Sequence, residues 1–129
     1  MERVTDRIYH DLREHGIETP CYGEKFLCDA LEIMEADPAS LTFISKGIYP
    51  PIAKRYNTSI SSVERNLRFL IEKLWEREAE NGYFKMMTGK SLTIRPRNGE
   101  FLSIMYAHYV GNMWKQNRKN NRRNTIYRI

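Results

Sequence analysis

Apolar residues recur along this chain at helical spacing, three and four apart, and nowhere alternate over a strand length. Val4, Ile8 and Leu12 predict a short helix over residues 3–15, ended by Gly16. Leu27, Ala30, Leu31 and Met34 give the buried face of a second helix over 23–36, closed by Asp37-Pro38, because the residue before a proline is pushed out of the α region. Leu41, Ile44 and Ile48 suggest a third, capped by Ser40. Pro50 and Pro51, tolerated in a first helical turn, mark the start of a fourth. A long helix then runs through Trp75 to a stop near Gly82, and Tyr83 to Met87 allow one or two further turns. Residues 89–96 are a loop or extended arm, and a final helix carries Phe101, Ile104, Met105 and His108, with Asn98 as its cap and Glu100 in its first turn. The prediction is an all-α, compact bundle of about six helices, with residues 1–112 as the domain and 113–129 as a basic tail.

The stretch Tyr49 to Trp75 has the pattern of a helix-turn-helix. Ala53 is the small residue at the crossing of its two helices, Tyr56 closes the first, and Asn57 suits a turn with positive φ. Thr58 and Ser59 are both competent N-caps for the second. At 100° per residue Val63, Leu67, Leu70, Ile71 and Leu74 fall on one stripe, with Ser61, Arg65, Arg68 and Glu72 opposite, Ser62 and Phe69 to one side and Glu64 at the edge. A surface helix packed on a core has the same periodicity. Ala53, Asn57, Val63 and Leu67 together favour a groove-reading helix instead.

Charge sharpens this. The net charge is +5 over 129 residues, but its placement says more. Residues 1–45 hold four Lys/Arg against ten Asp/Glu, residues 46–75 six against two, and residues 76–129 eleven against four. An acidic front and a basic rear fit a polyanion met by one face. The tail from Lys115 has six Lys/Arg, four Asn and no acid, and reads either as an arm along phosphates or as a solubilising extension.

The sequence offers no catalytic set, so an enzyme is not expected, nor is a cofactor or metal. His10, His15 and His108 are scattered, and Cys21 and Cys28 lack a companion Cys pair or spaced His. Cys28 reads as a small core residue. With no signal peptide and no apolar run near membrane length, a cytoplasmic location with reduced thiols is expected, and no membrane partner. Glu64 has two open roles: a helix-dipole or capping contact, or acceptance of a cytosine amino hydrogen.

The run ISKGIYPPIAKRYNTSISSVERNLRFLIEKLWER resembles the effector domain of the stage-zero sporulation response regulator family of Firmicutes. The residues that carry the likeness are Tyr49, Pro50, Ile52, Ala53, Lys54, Asn57, Thr58, Val63, Glu64, Arg65 and Trp75, and it extends over roughly residues 5–112. The resemblance implies a six-helix domain that binds a short GC-containing box of double-stranded DNA in the major groove, often pairing as a homodimer on tandem boxes. It further implies that Glu64 and Arg65 read bases and that Ser61 meets the backbone or groove wall. Ser62 stands where the family commonly has an Arg that contacts guanine. Asn66 stands for a small residue and Phe69 for a common His, so the box should be related but not identical. A receiver domain with its phosphoacceptor, usual in the family, is not part of this sequence.

The resulting expectation is a sequence-specific DNA-binding transcriptional regulator acting without a receiver domain. Arg65 would take a guanine, while Lys54, Arg55, Arg68, Lys90, Arg95 and the tail would hold phosphates. The competing class is a protein-interaction module of the same fold that modulates another regulator.

Overall fold

The computed structural model describes residues 3–18 and 21–111, so the tail beyond Gly111 lies outside it. Among the described residues every regular element is a helix, with no strand, and none of these helices is long and apolar enough to cross a membrane.

Helix α1 (Val4–Glu14) ends in a Schellman turn, with Gly16 at φ +99° and the Ile17 N–H bonded to Leu12 O at 2.9 Å. Ile17 and Leu12 are both buried, the apolar contact that usually accompanies such a turn. Helix α2 (Tyr22–Ala36) buries Phe26, Leu27, Ala30, Leu31 and Met34 and forms the centre of the bundle. It lies hard against the long helix α5 (Ile60–Glu76). A Cβ added at Gly23 would sit 2.6 Å from the carbonyl oxygen of Asn66, so only glycine permits that approach.

The region read as one short third helix is a 3-10 turn (Pro38–Phe43) followed by α3 (Ile44–Gly47). Ser40 does not cap it. Pro38 opens the turn, the Ser40 N–H bonds back to Asp37 O, and the Ser40 hydroxyl is buried beneath Gly47 with no partner among the described residues. Helix α4 (Tyr49–Arg55) begins on Pro50 and Pro51, as expected.

The long helix does not run on to Gly82. It stops at Arg77, and α6 (Glu78–Asn81) and α7 (Tyr83–Thr88) follow, separated by Gly82 in the left-handed region. Three side-chain hydrogen bonds, one of them long-range, override the helix-favouring residues there. The Asn81 amide donates to His15 O at 3.0 Å, and the Glu78 carboxylate accepts the N–H groups of Phe84 and Lys85 at 2.8 and 3.0 Å. With this division eight α-helices stand among the described residues, in the all-α bundle expected.

Helix α8 (Asn98–Met105) continues as a π-helix over Tyr106–Gly111. Its N-cap is Arg97, whose N–H is taken by Glu100, and Asn98 is the first residue of the helix, not the cap. Phe101, Leu102 and Met105 close the core against α2 and α5. At its far end the Tyr109 hydroxyl donates to Asp11 at 2.7 Å and meets the buried Tyr83 hydroxyl at 2.8 Å, which ties the π-helical segment to α1 and α7.

Candidate nucleic-acid interface

Helices α4 and α5 and the turn between them form the helix-turn-helix. Asn57 has φ +52°, the Asn57 N–H bonds to Lys54 O, and the Thr58 N–H bonds to Ala53 O at 2.9 Å. These two bonds make a second Schellman turn, which satisfies the last carbonyls of α4 while reversing the chain. Of the two caps the sequence offers, Ser59 is used: its Oγ accepts the Ser62 N–H at 3.0 Å. Ala53 is buried at the crossing, and Val63, Leu67, Leu70, Ile71 and Leu74 are the buried residues of α5, all five of the apolar stripe.

The opposite face is open. Ser61, Glu64, Arg65 and Arg68 are exposed, and Ser62 and Glu72 are half-buried. Within this face Glu64 accepts from Arg68 one turn later at 2.9 Å, a pair in which both side chains are about half exposed. Ser62 is tied to Asn66, whose amide donates to the Ser62 carbonyl at 2.8 Å and approaches its hydroxyl at 3.3 Å. Arg65 projects from the middle of the face with no hydrogen bond or ion pair to another described residue.

The cations expected to hold phosphates divide into two groups. Arg55 lies 3.2 Å from the largely buried Asp29 of α2 and 3.9 Å from Glu32, and Arg95 lies 3.3 Å from Glu72 of α5. Arg95 thereby draws the 89–97 loop alongside the exposed face of α5. Lys54 and Lys90 are exposed, and their ammonium groups pair with no acid among the described residues. Exposed ion pairs such as Arg68–Glu64 and Arg95–Glu72 contribute about 0–1 kcal/mol, little enough for a phosphate to take over either arginine.

One positioning element was not foreseen. The Asn98 side chain donates to the Tyr49 hydroxyl and to the Glu64 carbonyl, each at 3.0 Å, and so fixes the start of α8 to both α4 and α5. Burial raises the Tyr49 phenol above its ordinary pKa, and the hydrogen bond it accepts from Asn98 offsets part of that rise. In the sequence Asn98 has the look of a helix cap, and nothing local distinguishes the two roles.

Other titratable groups serve the scaffold. Burial pushes the Cys28 thiol up to about 11, which leaves it a core residue without thiolate character at neutral pH. No group of three or more His, Cys, Asp or Glu side chains capable of holding a metal ion occurs among the described residues. Over residues 8–110 the chain matches the family model described as "Sporulation initiation factor Spo0A C terminal".

Proposed function

Because the chain belongs to the family of the Spo0A C-terminal domain, the DNA-binding effector domain of a sporulation initiation factor, we propose that it regulates transcription by reading a specific double-stranded DNA sequence with the front of α5. The observation that carries this is the contrast between the two faces of that helix. The back is wholly buried and fixed by a Schellman turn, a serine cap and Asn98. The front is polar and exposed, with Arg65 unengaged at its centre. A rigid back and an unspent guanidinium are what bidentate recognition of guanine O6 and N7 needs.

In this reading Arg65 takes a guanine, and Glu64, once Arg68 turns to a phosphate, accepts from a cytosine amino group. Ser61 and Ser62 pack at the groove wall, and Lys54, Arg55, Lys90 and Arg95 set the register through phosphates. Residues 113–129 would add cations along the backbone and steepen the salt dependence. Two copies would stand side by side on tandem boxes.

Arg65→Ala tests the assignment. The variant should fold like the parent, since position 65 is exposed, yet lose discrimination at one guanine by about 1–3 kcal/mol, read as the ratio of affinities for matched and singly substituted duplexes. An unchanged ratio would remove Arg65 from base reading.

A further inference from the structure

Phe69 is a large aromatic side chain on the polar front of α5, 52% exposed. By helical geometry it lies one turn beyond Arg65, about 6 Å along the axis and rotated by about 40°, and nearly in line with Ser62. The strip between Ser62 and Phe69 is low. Asn66, which lies between them, folds its amide back onto the Ser62 carbonyl at 2.8 Å, and the Ser62 hydroxyl is engaged by the same amide. The ring is therefore the one group on this strip free to meet a partner, and it cannot hydrogen-bond. Cations stand on either side of it: Lys73 holds its ammonium 5.0 Å from the ring centroid, and the exposed Arg65 lies one turn before it. An apolar group framed by positive charge and continuous with a groove-reading face suits a polyanion that displays apolar features at a fixed depth. In the major groove those features are the C5-methyl groups of thymine.

We infer that Phe69 is a specificity-determining residue that packs on a thymine methyl beside the guanine taken by Arg65. The inference rests on the reading of α5 as the groove helix. It makes the recognised box a composite, with guanine selected by hydrogen bonds and an adjoining thymine selected by contact with its methyl.

The test uses the full chain and the duplex it selects from a random pool. Each thymine of the box is replaced in turn by deoxyuridine, which deletes one methyl and keeps every hydrogen-bonding group. One such replacement should weaken the parent about threefold to fivefold, the value of a single buried methyl. Phe69→Ala should weaken binding to the unmodified duplex by a similar factor, become indifferent to that replacement and melt like the parent. Phe69→Leu should retain part of the sensitivity. A parent indifferent to every replacement, or a Phe69→Ala variant as sensitive as the parent, overturns the inference. So does a Phe69→Ala variant that loses only cooperativity between tandem boxes, since the ring then meets protein. If Arg65→Ala still loses guanine preference in any of these cases, the groove reading stands and only the methyl contact falls. If Arg65→Ala loses nothing either, the reading itself has failed.

Discussion

Val63→Asp should unfold the protein or leave it only marginally folded. Val63 is fully buried on α5, the helix that packs against α4, among the apolar side chains of the core. Placing an unpaired carboxyl there belongs to the small class of substitutions that cost about 4 kcal/mol or more, against a total stability of about 5–15 kcal/mol for a domain. The sign of the pH dependence is fixed by the same physics. Burial raises the introduced carboxyl's folded-state pKa above its unfolded value, so stability is kept at low pH and lost as the pH rises through the folded value. Denaturant melts at pH 4.5 and pH 8 should therefore show the larger deficit at pH 8. A variant that melts like the parent and still binds DNA would mean that Val63 does not face α4.

Arg13→Leu should cost nearly as much for a different reason. Glu24, on α2, is completely buried, and its two oxygens accept from the two terminal nitrogens of Arg13 at 3.1 and 3.0 Å. Arg13 also donates to the Ile17 carbonyl at 3.0 Å, so one guanidinium joins α1, the turn after it and α2. Removing it strands a buried carboxylate, a loss of about 3–5 kcal/mol. Replacing both partners by leucine should recover most of this, because a buried pair and an apolar pair of similar volume are often close in stability. Chemical denaturation of the two single variants and the double variant gives the coupling directly. Additive losses would show that the pair acts as two separate side chains.

The helix-turn-helix was legible in the sequence because each of its parts has a local cause. The stripe from Val63 to Leu74 is a matter of period, the turn depends on a residue that tolerates positive φ at Asn57, and the cap needs a hydroxyl just before Ile60. What stayed hidden depends on partners distant in sequence. Nothing near Glu24 in the sequence marks it as the buried partner of Arg13, which α1 brings to it, and residues 76–81 looked like an uninterrupted helix until Asn81 reached His15. Asn98 and Ser40 were read as caps because both residue types favour caps. Asn98 instead spends its amide on Tyr49 and Glu64, and Ser40 is buried under Gly47. The candidate site shows the same division: which residues face outward on α5 followed from its period, whereas the pairing of Arg55 with Asp29 and of Arg95 with Glu72 did not.

The central claim is that α5 reads a particular sequence, and selection of duplexes from a random pool by the purified protein at physiological salt tests it most directly. The account predicts enrichment of one short box containing guanine, bound at least about a thousandfold more tightly than the starting pool. Equal affinity for selected and unselected duplexes, with binding that vanishes as salt is raised, would contradict it and leave only non-specific attraction to phosphates.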